Sequence, residues 1–201
     1  MCRTQRGLTE PSSPGIRLVM ASNATIFKAT LHIADMDRHY YADHAVTLAR
    51  HPSETDERMM MRLLAFALHA HEALAFGRGI GTEDEPALWQ KDLTGAIDLW
   101  IEVGQPEEKS IRQACGRAKH VVIYSYGGRG ADQWWEKTLP ALTRCKNLTV
   151  ITVPSDGSRG LIPLARRSMD LHCSIQEGQI LMGDDTTAVP IELTTIYPVA
   201  G

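Results

Sequence analysis

The sequence predicts an α/β protein with a mixed sheet flanked by helices, and three observations carry that prediction. Residues 24–35, "ATIFKATLHIAD", alternate apolar and polar side chains with the period of a half-buried strand. Residues 97–152 run strand, helix, strand, helix, strand, and their apolar runs "HVVIYSYGG" and "NLTVITVP" are of the fully buried kind, which implies parallel neighbours. A chain of 201 residues that is 43% hydrophobic is long enough to cover such a sheet on both faces.

Taken in order, the first 19 residues carry turn formers and scattered charge without a period. They read as a disordered leader or an upstream extension, with a start at Met20 and one domain over residues 20–201. "RHYYADHAVTLAR" reads as a second strand closing an N-terminal hairpin. Ser53-Glu54-Thr55-Asp56 has the form of a capping box, and a helix is expected over residues 53–74. Residues 59–68 are apolar on most sides, so this helix should be packed against a sheet. "LAFGRGIG" gives a short strand and a bend, and residues 87–103 a hairpin. Helices are expected over residues 106–119 and in "ADQWWEKTLPAL", with a further short one in "IPLARRSMDL". The tail from His172 to Tyr197 reads as a strand meander.

A net charge of -3 and a pI near 6.2 exclude a protein that binds nucleic acid with its whole surface; any such contact needs a local patch. Arg159, Arg166 and Arg167 form one basic cluster, which also reads as a solvated face. No apolar run approaches the ~18 residues of a membrane span, and a cytoplasmic location is expected. Cys2, Cys115, Cys145 and Cys173 stand singly, as reduced structural thiols do. The exposed aromatics fit a monomer or a weak dimer. "GRGIG" and "GGRG" lack the context of a phosphate loop, and "HAHE" lacks zinc-site spacing. Trp134-Trp135 offers rings for base stacking, although such pairs more often bury one ring.

The acids of residues 83–103 carry the most chemistry. With Thr94-Gly95 as a two-residue turn, Lys91 faces Asp98, Trp89 faces Trp100 and Ala87 faces Glu102. Asp98 and Glu102 then share a face but lie ~13 Å apart, four strand residues at ~3.3 Å each, too far for one ion. Asp98 is therefore expected to pair with Lys91 across the strands. Glu85 falls by parity on the face of Glu102, and Asp84 beside it can substitute; Asp92 has the wrong parity unless a bulge intervenes. Glu54 or Glu57, cap acids of the preceding helix, can add a third carboxylate. Two such acids suffice to hold Mg²⁺ or Mn²⁺ with waters and to activate a nucleophilic water.

Through "ATIFKATLHIADMDR", "LARHPSETDERMMMRLLAFAL", "DEPALW", "LTGAIDLWIEVGQP" and "VVIYSYG", residues 20–193 resemble the YaeQ family. That family is regarded as a variant of the PD-(D/E)XK nuclease superfamily. Its core is a helix, three strands, a helix and a fourth strand, so the resemblance implies a restriction-endonuclease-like mixed sheet elaborated by the N-terminal hairpin and the C-terminal meander. It also implies Mg²⁺-dependent hydrolysis of phosphodiester bonds in nucleic acid. The pattern's first acid falls on Asp84 or Glu85 and its second on Glu102, with Glu57 in support. Its lysine falls on Gly104, where this chain departs from the pattern. Lys109, Lys28 and the uncharged Gln105 are the candidates to take over the lysine's work on the attacking water. The contrasting expectation is a catalytically inactive module of the same fold that binds nucleic acid or the transcription machinery.

Overall fold

The computed structural model describes residues 24–77 and 85–197. The expectations for the first 19 residues, for Met20, Cys2 and for Asp84 lie outside these residues. Strands β1 (Thr25–Asp35) and β2 (Tyr40–Arg50) pair antiparallel from Thr25↔Arg50 to Asp35↔Tyr40, as their alternation requires. The turn between them is held by Asp35, whose carboxylate accepts from the Arg38 backbone N–H at 2.9 Å and from its Nε–H at 2.5 Å. Phe27, Ala29, Leu31 and Ile33 point into the core, which leaves Lys28 exposed on the opposite face.

The chain forms two mixed sheets rather than one. The free edge of β1 takes β8 (Ser168–Gln176) in parallel; β9 (Gln179–Gly183) and β10 (Ala188–Ile191) follow in antiparallel, giving the order β10-β9-β8-β1-β2. Hairpin and meander, separately recognisable in the sequence, are thus one five-stranded sheet. The second sheet has β3 (Leu74–Phe76), β4 (Leu88–Lys91), β5 (Ile97–Val103), β6 (Ala118–Ser125), β7 (Leu148–Thr152) and β11 (Thr194–Tyr197), in the order β11-β7-β6-β5-β4-β3. Strands β5, β6 and β7 are parallel, joined through α2 (Glu108–Arg117) and α3 (Arg129–Thr138), as predicted from their alternation with helices.

Helix α1 (Asp56–Leu68) is shorter than the 53–74 predicted. Ser53 cannot cap it, because its hydroxyl and N–H are both engaged with His51 Nδ1; Thr55 caps instead, accepting from the Arg58 N–H at 3.1 Å. At the far end His69 closes on the carbonyls of Ala65 and Phe66, and the chain turns into β3. Met59, Met60, Met61, Leu63 and Leu64 are all fully buried, so the helix has no solvent face in its middle. It lies in a core that draws on both sheets, from Leu31, Leu171 and Met182 of one to Ile101, Val122 and Tyr124 of the other. A second core under α2 and α3 gathers Trp100, Ile111, Ala114, Val121, Ile123, Leu148 and Val150. The Trp134 indole donates to the Pro106 carbonyl at 3.0 Å and the Trp135 ring meets Tyr197 edge-on, so this pair is spent on packing.

The helix predicted in residues 162–171 is absent. A short helix α4 (Ser155–Gly160) precedes it, residues Ile162–Leu164 make one 3₁₀ turn, and Ser168 already opens β8. Met169, Leu171, Cys173 and Ile175 alternate inward there, so a period of two prevails over the helical reading. Arg167 stacks over Phe27 and Arg166 lies 3.8 Å from Asp184, while Arg159 is exposed on α4. Cys115, Cys145 and Cys173 are free thiols. Among the described residues no helix is long and apolar enough to cross a membrane.

Candidate functional site

The hairpin of β4 and β5 keeps the predicted pair Trp89↔Trp100 and sets Leu88 opposite Ile101 at its open end, but a bulge after Gln90 sets Lys91 opposite Ile97. The cause is Asp92. Its carboxylate accepts from the Thr94 N–H, the Thr94 hydroxyl and the Ala96 N–H, at 2.8, 2.6 and 3.0 Å, closing a turn wider than two residues. The Thr94 hydroxyl is the main reason the Asp92 carboxyl titrates below its usual range. The expected Asp98–Lys91 pair therefore does not form. Asp98 meets Lys119 of β6 at 2.6 Å, and the Lys91 ammonium sits 3.4 Å from the centre of the Trp89 ring.

Beyond the bulge the register carries Glu102 to the mouth of a cleft lined by Arg58, Glu102, Val103, Gly104, Gln105, Tyr126 and Gly127. The Trp100 indole N–H donates to the Glu102 carboxylate at 2.9 Å, and the Ala87 backbone N–H also donates to it. Burial nevertheless dominates and raises the carboxyl above its usual range, against the pull of those donors and of the Arg58 charge. Tyr126 is likewise pushed up to about 12 by burial, so its phenol stays neutral and able to donate at physiological pH. Gln105 donates through its amide to the Tyr126 carbonyl at 3.0 Å, which fixes that side chain across the cleft and leaves its amide oxygen as an acceptor.

Gly104 has φ +103°, and its N–H bonds to the Tyr124 carbonyl at 2.9 Å. This backbone disfavours any residue with a Cβ, so the end of β5 is built for glycine and not for the lysine of the nuclease pattern. A cation is present all the same, on α1. Arg58 reaches the cleft from one turn into that helix, its Nη1 2.8 Å from Glu54.

Glu54 itself is buried behind the cleft. It accepts two bonds from the fully buried Arg62, at 3.1 and 3.2 Å, in addition to the one from Arg58. Glu57 accepts from the buried Ser158 hydroxyl at 2.8 Å and so ties α1 to α4; its charge acts on the Tyr126 phenol. Glu85 is half-exposed, three residues ahead of β4. Lys28 stands on the outer face of the five-stranded sheet, and Lys109 lies in a shallow depression of α2 with Glu107, Glu108 and Arg112. The cleft thus gathers Glu102 and Gln105 of the sequence candidates. It adds Arg58 and Tyr126, for which the only sequence signals were the i,i+4 spacing from Glu54 and the glycine pair after Tyr126.

Among the described residues no three His, Cys, Asp or Glu side chains converge as an ion would require. The donor set there is one carboxylate already held by two N–H groups and facing a guanidinium. These residues by themselves do not make a divalent-metal cage.

With this geometry in place, comparison with known proteins gives a consistent result. The profile of the YaeQ protein family matches residues 20–193. The chain is 42% identical over 175 residues to a protein of Escherichia coli (strain K12) described as uncharacterized protein YaeQ, covering 87% of this chain and 97% of that one. It is 43% identical over 175 residues to the same-named protein of Salmonella typhi, with the same coverage. The crystal structure of the YaeQ protein from Xanthomonas axonopodis pv. citri superposes with a TM-score of 0.82 at 47% identity, over 86% of this chain and 98% of that one. That from Pseudomonas syringae superposes with a TM-score of 0.84 at 37% identity, over 89% and 98%.

Proposed function

Because the chain belongs to the YaeQ family, we propose that it is a nuclease-type protein hydrolysing phosphodiester bonds in nucleic acid at the cleft of Glu102. The element order α1-β3-β4-β5-α2-β6 supports this, since it has the helix, three strands, helix and strand of the restriction-endonuclease-like core. The observation that carries the reading is the end of β5, where a desolvated carboxylate shares one cleft with a guanidinium and a fixed amide. A bound Mg²⁺ or Mn²⁺ would supply water activation and charge neutralisation at the phosphate. Glu102 would hold it together with Asp84 or Glu85, and Glu57 would stand in support. Of the chain's own residues, Trp100 orients the Glu102 carboxylate, Gln105 presents an acceptor for a water, and Tyr126 presents a neutral donor.

One observation favours a second reading, a catalytically inactive module that binds nucleic acid. The backbone at Gly104 disfavours the lysine that would help orient and deprotonate the water, and glycine stands there. Calorimetric titration of Mg²⁺ and Mn²⁺ into wild type and Glu102→Ala, beside cleavage assays on labelled DNA and RNA, separates the two. Ion binding and cleavage that vanish together in Glu102→Ala are expected. Absence of both from the wild type sinks the enzymatic reading.

A further inference from the structure

The three charges behind the cleft do not have equal duties. Arg62 is fully buried, so it must keep a counter-ion, and Glu54 serves it through two hydrogen bonds. That pair is neutral by itself. Arg58 makes a single bond to the same carboxylate, and its side chain keeps 20% of its exposure. Its charge is therefore surplus to the buried pair: the fold holds the guanidinium in place without needing it for neutrality.

We propose that Arg58 is the phosphate-contacting residue of this cleft, and that Glu54, held by Arg62, is the residue that positions it. The inference rests on the phosphodiester reading above and deepens it. The cation that the pattern places at the end of the third core strand comes instead from α1, and it binds a phosphodiester whether or not a divalent ion is present. Among the described residues Arg58 is anchored through one Nη alone, which leaves its remaining N–H groups for phosphate oxygens in the paired geometry that an ammonium lacks.

The Trp100 indole N–H, bonded to Glu102, is a reporter inside the cleft. Its amide-type ¹H–¹⁵N resonance should shift when a short single-stranded oligodeoxynucleotide without terminal phosphates is titrated into the full chain in EDTA. Arg58→Gln should weaken that binding about tenfold or more, the loss of a charge-assisted bond, and lower the salt slope of binding by about one. Arg58→Lys should fall between. Arg62 still neutralises Glu54 in both variants, so both should fold, and unchanged far-UV dichroism checks this.

Equal affinity in wild type and Arg58→Gln overturns the proposal, as does equal binding of a methylphosphonate strand. Inorganic phosphate binding as tightly as the oligonucleotide overturns its phosphodiester assignment. Arg58-dependent binding without cleavage at any metal concentration sinks the catalytic reading alone, whereas full cleavage by Arg58→Gln sinks this inference alone.

Discussion

Replacing Glu54 by Gln removes one charge and almost no volume, and the structure makes it costly. Glu54 is 3% exposed and Arg62 0%, and their carboxylate and guanidinium are joined at 3.1 and 3.2 Å. The amide would leave Arg62 buried without a counter-ion and next to Arg58, a second cation that already opposes its charge. Breaking a buried pair from one side costs about 3–5 kcal/mol. For a chain of this size each kcal/mol lowers Tm by about 2–4 °C, so a fall of about 6–20 °C is expected by calorimetry. The control is asymmetric. Arg62→Met leaves Glu54 paired with Arg58 at 2.8 Å and removes the Arg62 Nε–H, which has no acceptor among the described residues, so its cost should be smaller, about 1–3 kcal/mol. If Arg62→Met destabilises as much as Glu54→Gln, Glu54 is not the hub of the three charges and the surplus assigned to Arg58 has no basis.

Two further changes probe the neighbourhood. Gly104→Ala should cost about 1–2 kcal/mol through its backbone alone, because φ is +103° while the nearest atom to the new Cβ, on Tyr126, is a comfortable 3.9 Å away; a urea midpoint equal to wild type would refute the claim that β5 must end in glycine. His69, half-buried and bonded to the Tyr124 hydroxyl at 2.8 Å, is lowered to about 4 by desolvation and then by the Arg38 charge. Its folded value lies below its unfolded one near 6.5, so the unfolded chain takes the proton first: stability should fall as pH drops from about 6.5 to about 4. At about 1.4 kcal/mol per pH unit the loss is about 3 kcal/mol, and it levels off below pH 4. His69→Gln should flatten that part of a urea-stability profile, and an unchanged slope would remove His69 as its source.

The local patterns of the sequence were sufficient for β1, β2 and the parallel run of β5, β6 and β7, because each element's period reports which of its own faces is buried. They were silent on what pairs with what at long range. The outward face of β1 reads the same whether its second edge is free or, as found, occupied by β8 some 140 positions later. The same limit applies within the hairpin. Counting outward from Thr94-Gly95 set Trp89 opposite Trp100 correctly, since the extra residue of the turn and the bulge offset each other, yet misassigned Asp98. The signal was Asp92 two residues before Thr94, a side chain able to close its own turn.

The cleft shows why the cation was the hardest part to find. A search along β5 looks for lysine two residues after Glu102, and finds Gly104, whose positive φ and bond to Tyr124 turn the chain out of the sheet toward Pro106 and α2. That turn opens the space at the strand end into which the first turns of α1 project. A helix presents residues four apart on one side, so Arg58 and Arg62 line up on α1, and Glu54, just before the Thr55 cap, meets both: Glu54 and Arg62 are buried as a neutral pair and Arg58 stands at the cleft. In the sequence this spacing is indistinguishable from ordinary helix-surface ion pairing. Burial separates the two cases: a surface triplet would leave all three side chains interchangeable, whereas here Arg62 has no route to solvent, and only Arg58 can serve a ligand without stranding a charge.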